Sequence, residues 1–189
     1  RDQLGRLADR LGSDAPFFLQ EATFAIGRER GNRCEPVQPP PPTFWHVLVV
    51  PDARLSTRDV YAAWDDARRD EGVQTDLTAP TSSITMALHA LRNGSLGELA
   101  TGLVNDLTAV AIRRCPVIQG ILSALRQHGC MGVSMSGSGP SVFGLCRDRA
   151  HAHQIAQHVR AAGSPWTVLV TATAQRSLDK SSHRVAHGQ

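Results

Sequence analysis

The chain has 189 residues, of which 41% are hydrophobic and 20% are charged. This composition predicts a globular chain with enough apolar material for one large domain or two small ones. No run reaches the roughly 18 apolar residues of a membrane span, and the first residues lack the apolar core of a secretory signal. We therefore expect no membrane partner and, by default, a cytoplasmic location.

The formal net charge is only +3, and the basic residues alternate with acidic ones along the chain. Nucleic-acid-binding surfaces need clustered basic side chains, often with aromatic rings between them, so we expect no nucleic-acid partner. The small excess of basic residues is still compatible with an anionic small molecule. The cysteines have neither zinc-ligand spacing nor the density of a disulfide scaffold, which predicts buried or unreactive thiols. They are Cys34, Cys115, Cys130 and Cys146.

The first forty residues predict a helix and a hairpin. Leucines recur at helical spacing up to Gly12, which predicts a helix that ends there. The segments "PFFL" and "ATFAI" contain strand-forming residues, and we expect them to pair as a hairpin. After the prolines at 39–42, "FWHVLVV" predicts a buried strand.

The middle of the chain is predicted to be helical. "STRDVYAAWDDARR" is expected to be a helix capped by Ser56 or Thr57, followed by a loop over residues 68–80. "SSITMALHALRNG" and "LGELATGLVNDL" predict two further helices, separated at Asn93 and the glycine after it.

The last third predicts helix, strand, strand, helix, strand over residues 116–172. The first of these helices carries an apolar stripe and is expected to end at Gly129. This order is typical of an α+β fold with helices on one face of an antiparallel sheet. His151 and His153 cannot face the same side of a helix, so we expect them, with His158, to lie on a solvated helix face rather than to bind a metal.

The segment "GVSMSGSGPSVFGL", residues 132–145, joins two apolar strands through a glycine-rich turn. Backbone N–H groups in such a turn can converge on an anion, and small side chains let a phosphate approach closely. A tight strand connection with no ligand explains the turn almost as well. The segment "LGSDAPFFL" adds a second feature, because Asp14 lies between Gly12 and Pro16. Asp14 is either an ordinary turn or cap residue, or an acid positioned to deprotonate an alcohol that attacks a phosphoryl group.

Together, "LGSDAPFFL", "LSTRDVYAAWD", "VNDL" and "MSGSGPSVFGL" resemble the GHMP kinases, named for galactose, homoserine, mevalonate and phosphomevalonate. Within them, the combination resembles the branch that acts on 4-diphosphocytidyl-2-C-methyl-D-erythritol. The resemblance implies a ferredoxin-like C-terminal domain over residues 43–176. It implies that residues 1–36 end an N-terminal ATP-binding and catalytic domain, and we expect residues 177–189 to be a loose tail.

The resemblance also implies a reaction, in which the γ-phosphoryl group of ATP is transferred to the 2-hydroxyl of 4-diphosphocytidyl-2-C-methyl-D-erythritol. This is a step of the non-mevalonate route to isoprenoid precursors. Mg²⁺ is expected from the reaction class alone, and no metal ligand is assigned. Asp14 matches the catalytic aspartate of the family. Gly137, Ser138 and Gly139 match its third conserved motif, beside the bound phosphates.

Thr57 and Tyr61 fall where the family lines its cytidine pocket, although a core or interface ring explains Tyr61 equally well. Asn105 and Asp106 also match the family, and we interpret them as a structural helix junction near the glycine loop.

The chain departs from the family in lacking the ATP-binding glycine loop and the lysine that partners the catalytic aspartate. We therefore expect this polypeptide alone to be nearly inactive, with an exposed apolar edge and possible self-association. Two alternatives remain open. One is another kinase of the superfamily, of the homoserine or mevalonate class. The other is a non-catalytic ferredoxin-like module that binds a small molecule.

Overall fold

The computed structural model describes residues 2–12, 14–20, 22–28, 31, 33–70, 81–163 and 165–174. These fall into two compact units, one made of the residues up to Pro41 together with Ala174 and the other spanning Pro42–Thr173. No helix in these ranges is long and apolar enough to cross a membrane. The predicted tail and most of the predicted loop over 68–80 lie outside the described residues.

The first unit contains two helices and a two-stranded hairpin. They are α1 (Asp2–Leu11), α2 (Ala15–Leu19), β1 (Ala25–Arg28) and β2 (Arg33–Pro36). The strands are antiparallel. The helix predicted to end at Gly12 is confirmed, whereas the prediction that "PFFL" is a strand is wrong because these residues lie in α2. Pro16 lies in its first turn, where the fixed φ of proline favours a helix and its missing N–H costs nothing.

The second unit is built on four strands: β3 (Trp45–Val50), β4 (Gly132–Met135), β5 (Val142–Cys146) and β6 (Thr167–Ala172). Their order in the sheet is β4-β5-β3-β6, and every neighbouring pair is antiparallel. Helices connect β3 to β4 and β5 to β6, so the unit is a βαββαβ arrangement. The predicted α+β fold of ferredoxin-like type is therefore confirmed.

The helices of this unit are α3 (Thr57–Asp70), α4 (Thr81–Asn93), α5 (Leu96–Thr101), α6 (Thr108–Arg114), α7 (Val117–Gln127) and α8 (Arg149–Ala161). The prediction of one helix over "LGELATGLVNDL" is wrong, because α5 ends at Thr101. The N–H of Gly102 closes α5 on the carbonyl of Glu98 at 3.1 Å. The side chain of Asn105 accepts the N–H of Leu107 at 3.0 Å, and this turn leads into α6.

The core lies between the sheet and the helices α7 and α8. Val47 and Val49 of β3 lie on the same face as Val142 of β5, since Val49 is directly opposite Val142. These valines are completely buried. They share the core with the apolar stripes of both helices, whose burial the helical spacing predicted. The stripe residues are Ile118, Ile121, Leu122 and Leu125 of α7 and Ile155, Ala156 and Val159 of α8. The predicted end of α7 is confirmed by Gly129, whose φ is 90°.

His151 is buried, with 7% of its surface exposed, so the predicted solvated face is wrong for this residue but correct for His153 and His158. The ring Nδ1 of His151 accepts the backbone N–H of Arg147 at 3.2 Å. The backbone N–H of His151 donates to the carboxylate of Asp148 at the start of α8. Loss of hydration, aided by the nearby Arg147 charge, lowers the pKa of the His151 ring. The four cysteines are free thiols, of which Cys115 and Cys146 are buried and the other two half-buried.

Candidate functional site

The glycine loop, residues 136–141, joins β4 to β5 and is closed by its own backbone. The N–H of Ser136 donates to the carbonyl of Ser141 at 2.9 Å, and the N–H of Gly139 donates to the carbonyl of Ser136 at 3.0 Å. Gly137 and Gly139 have φ of 56° and 85°, which glycine adopts without steric cost. The N–H groups of Gly137 and Ser138 have no acceptor among the described residues. Adjacent free N–H groups of this kind form a concavity suited to an anion.

The loop lies on a packed floor. A Cβ atom at Gly139 would lie 2.7 Å from Sδ of Met135 and 3.5 Å from Cδ1 of Ile118. Both side chains are buried in the core of the unit. A Cβ at Gly137 would meet nothing within 4 Å. The two glycines therefore differ. Gly137 faces open space, whereas Gly139 needs both a positive φ and the absence of a side chain.

Asn105 fastens the loop from the side. Its Nδ2 donates to the carbonyls of Met135 and Gly137 at 2.9 and 2.8 Å. Its Oδ1 accepts the N–H of Leu107. The interpretation of Asn105 as a polar helix junction near the glycine loop is confirmed. Its direct bonds to the loop carbonyls were not predicted, since residues about 30 positions apart carry no local signal of this contact.

The start of α3 meets the same loop. Ser56 caps the helix, since its Oγ accepts the N–H of Asp59 at 3.4 Å, which confirms one of the two predicted caps. The Thr57 and Ser138 hydroxyl oxygens lie 2.8 Å apart and share a hydrogen bond. Tyr61 follows one turn later and is 51% exposed, whereas Val60 beside it is fully buried. A core role for the Tyr61 ring is therefore wrong, and an interface or a ligand contact remains.

Asp14 lies in the other unit, immediately before α2. Its carboxylate is exposed and makes no capping hydrogen bond to that helix. The backbone carbonyl of Asp14 accepts the N–H of Phe17 at 3.1 Å, so the first turn is held by the main chain. The carboxylate is thus not used as a helix cap, whereas the alternative of an ordinary turn residue remains, since Asp14 lies in a turn.

The part of the chain that the structure describes contains no group of three or more His, Cys, Asp or Glu side chains able to hold a metal ion. Mg²⁺ prefers an octahedral shell of oxygen ligands. At phosphoryl-transfer sites it is usually held by one or two carboxylates together with substrate phosphates rather than by a dedicated protein cage. No metal ligand is assigned among these residues, and no step of the chemistry is derived through a metal.

The structure thus brings four of the predicted site residues together, namely Thr57, Gly137, Ser138 and Gly139. Thr57 touches Ser138, and Ser138 lies between Gly137 and Gly139 in the loop. Tyr61 is on the same helix as Thr57, one turn away. Asp14 belongs to the first unit, and its role stays a prediction.

A four-stranded ferredoxin-like sheet with a glycine loop between β4 and β5 indicates a class of protein. Residues 87–165 match the family model of the C-terminal domain of GHMP kinases. The second unit therefore has the fold of a GHMP-kinase C-terminal domain, as its motifs indicated.

Within this class, the chain is similar to 4-diphosphocytidyl-2-C-methyl-D-erythritol kinases. It is 39% identical over 158 residues to the enzyme of that name from Moorella thermoacetica, covering 84% of this chain and 53% of the relative. A crystal structure of 4-(cytidine 5'-diphospho)-2C-methyl-D-erythritol kinase matches with a TM-score of 0.68 and 30% identity, over 91% of this chain and 57% of that one. The resemblance drawn from the motifs is confirmed by these relatives.

A more distant structure shares the fold. The mevalonate kinase of L. major matches with a TM-score of 0.63 at 17% identity, over 81% of this chain and 49% of that one. At this identity the likeness concerns the fold alone. The chain spans about half the length of the curated relatives it matches.

Proposed function

We propose that the protein containing this chain transfers the γ-phosphoryl group of ATP to the 2-hydroxyl of 4-diphosphocytidyl-2-C-methyl-D-erythritol. The observation that carries the proposal is the contact between Thr57 and Ser138, 2.8 Å between hydroxyl oxygens. It places a cytidine-pocket candidate directly beside the glycine loop. A ligand with both a pyrimidine and a diphosphate would match this neighbourhood.

The loop would hold the phosphate end of the ligand. The N–H groups of Gly137 and Ser138 are neutral donors with no acceptor among the described residues, so they would suit phosphate oxygens. Hydrogen bonds to a charged acceptor are stronger than those between neutral groups. The loop is fixed before the ligand arrives, which reduces the entropy lost on binding.

The base end of the ligand would meet α3. Tyr61 offers a half-exposed aromatic face, and aromatic rings stack on pyrimidines with little dependence on exact register. The Thr57 hydroxyl can donate or accept, and it is held by Ser138. These two side chains would therefore favour a cytidine nucleotide over homoserine or mevalonate, which have no ring to stack.

Asp14 would act as the general base. Its carboxylate accepts the proton of the 2-hydroxyl while the hydroxyl oxygen bonds to the γ-phosphorus, and the bond from that phosphorus to the ADP oxygen breaks. The match of Asp14 to the catalytic aspartate of the family and the exposure of its side chain support this role. We also propose that the protein is cytoplasmic, as we expected from the sequence.

The test is an assay of ADP release and product formation with the longest natural polypeptide that contains this sequence. It would be offered ATP with 4-diphosphocytidyl-2-C-methyl-D-erythritol, homoserine or mevalonate in parallel. We expect transfer to the cytidyl substrate alone. Transfer to homoserine or mevalonate would instead establish another GHMP-type kinase. Binding of a cytidine nucleotide without transfer to any acceptor would indicate a non-catalytic module.

A further inference from the structure

We propose that Asn105 is a positioning residue, which aims the Ser138 N–H at the phosphate of the bound nucleotide. This inference rests on the proposed function, since it concerns how the same loop recognises its ligand. It assigns Asn105 no contact with the ligand. Its effect would pass through the loop backbone.

Asn105 uses its whole side-chain amide on the protein. The Nδ2 group spans two carbonyls of the loop region, those of Met135 and Gly137, at 2.9 and 2.8 Å. The Oδ1 atom accepts the N–H of Leu107 at 3.0 Å, which fixes the amide plane. The residue is half-buried, so these bonds are partly shielded from water. An amide held on both sides is a rigid anchor.

The anchor determines the direction of the next N–H group. The peptide bond between Gly137 and Ser138 is trans, since the cis bonds in the described chain lie elsewhere. In a trans peptide, the C=O and the following N–H lie in one plane and point in opposite directions. When Asn105 holds the carbonyl of Gly137, the N–H of Ser138 must therefore point away from Asn105. This N–H is one of the two that have no acceptor among the residues described.

Without the anchor, this peptide plane would be poorly determined. Gly137 has a φ of 56° and open space around its Cα, so no side chain prevents rotation of the following peptide. On the other side of this peptide is Ser138, whose side chain is bonded to Thr57 through its hydroxyl while its N–H has no acceptor among the described residues. A rotated plane would turn the carbonyl oxygen of Gly137 toward the ligand and repel a phosphate. The glycines that open the loop to an anion thus make a separate anchor necessary.

The decisive variant is Asn105→Asp in the 189-residue chain. The carboxylate keeps an oxygen for the N–H of Leu107 but replaces the donor that holds the two carbonyls. Affinity would be measured by calorimetry for cytidine 5'-diphosphate and, separately, for cytidine. We expect the variant to bind the diphosphate about ten- to a hundred-fold more weakly, with the affinity for cytidine unchanged. Asn93→Asp, an exposed site on α4, makes the same chemical change and should alter neither affinity.

Two further measurements keep the test decisive. If Asn105→Asp does not fold, Asn105→Ala removes the donors without adding a charge and should show the same selective loss. In the unsubstituted chain, the Ser138 amide proton should exchange rapidly with solvent and become protected when the diphosphate binds. Protection confined to other amides would overturn the proposal.

The outcomes also separate this inference from the proposed function. If the unsubstituted chain distinguishes the diphosphate from cytidine but both Asn105 variants bind it equally well, the positioning role is wrong and the kinase proposal stands. Equal losses for cytidine and the diphosphate would mean general damage to the fold, and would also overturn the positioning role. If the unsubstituted chain binds no cytidine nucleotide, the positioning role is wrong, and the transfer assay of the longest natural polypeptide decides the kinase proposal independently.

Discussion

The glycine loop and the Asp14 segment belong to different units of the chain, and they are built in different ways. The loop is held by Asn105, touches α3 through Thr57, and rests on Met135, which is 2% exposed. Asp14 precedes a helix of five residues in which Phe18 is 74% exposed. The first structure is determined by packing within its own unit. The second depends mainly on local backbone hydrogen bonds.

Under the proposed function, ligand binding and phosphoryl transfer would depend on these two separate segments. A binding loop must present N–H groups in fixed directions, and a packed sheet achieves this. In the proposed reaction, a general base must come within hydrogen-bonding distance of one proton, and the exposed carboxylate of Asp14 would do so when substrate is bound. Binding and transfer should therefore be separable by substitution.

The largest effect should come from Asp14→Asn in the longest natural polypeptide that contains this sequence. We expect the rate of phosphoryl transfer to fall by about a hundred- to ten-thousand-fold, because the amide cannot accept the proton of the hydroxyl. Affinity for the cytidine nucleotide should stay the same, since Asp14 is not assigned to binding. Asp52→Asn, an exposed carboxylate after β3, is the control for the charge change. A normal rate with Asp14→Asn would remove Asp14 from the mechanism.

Two glycine substitutions should separate the packed unit from the first unit by stability. A Cβ at Gly144 of β5 would clash with Sγ of Cys130, whereas a Cβ at Gly5 of α1 meets nothing within 4 Å. We expect Gly144→Ala to lower the free energy of unfolding by about 1 to 3 kcal/mol through overpacking. Gly5→Ala should be neutral or stabilising by up to about 1 kcal/mol through helix propensity. Urea unfolding measures both changes.

The matched control for Gly144→Ala is the same substitution in a Cys130→Ala background, where the clashing sulfur is absent. The cost of Gly144→Ala should shrink there. An equal cost in both backgrounds would contradict the close packing of β5 against Cys130.

A smaller difference is expected inside the loop itself. Gly139→Ala should destabilise the unit more than Gly137→Ala, because only the first meets Met135. Gly137→Ala should cost about 1 to 2 kcal/mol, the strain of a left-handed backbone without a clash. Thermal unfolding of the two variants side by side measures the difference. Equal stability would mean that the loop does not rest on the floor described here.

The smallest effect is a pH dependence of stability that arises in the sheet. His46 of β3 is half-buried, with its ring centroid 6.0 Å from that of Phe143, and burial lowers the pKa of its ring. The unfolded chain, with a histidine pKa of about 6.5, then binds more protons than the folded one. Stability should therefore fall as the pH drops below about 6.5 and level off below the folded pKa. His46→Gln should flatten this fall, and His151 should account for part of the remainder.

The sequence predicted the sheet unit more accurately than the segment around Asp14. The strands and the helices α7 and α8 have long apolar stripes, and their period determines both the element type and the buried face. In "PFFL" the aromatic residues suggested a strand. The helix α2 that contains them has only five residues, too few for a period to appear, and Pro16 favoured a helix turn. Short segments lack the signal that long ones repeat.

The candidate site was predictable in its residues but not in its bonds. The glycines of the loop and Asp14 stand out by type and spacing. The bonds from Asn105 to the loop and from Thr57 to Ser138 join residues about 30 and 80 positions apart. Such contacts arise from the sheet order and the helix connections, which no local pattern contains. The burial of His151 was missed for the same reason.

The most direct test of the account is an amide chemical-shift titration of the 189-residue chain with cytidine 5'-diphosphate. The central claim is that the glycine loop binds the phosphate within the Pro42–Thr173 unit. We expect the largest chemical-shift changes at the amides of Gly137 and Ser138, with accompanying changes at the amides of Thr57 and Tyr61. Shifts that leave the loop unchanged while the nucleotide binds elsewhere would contradict it.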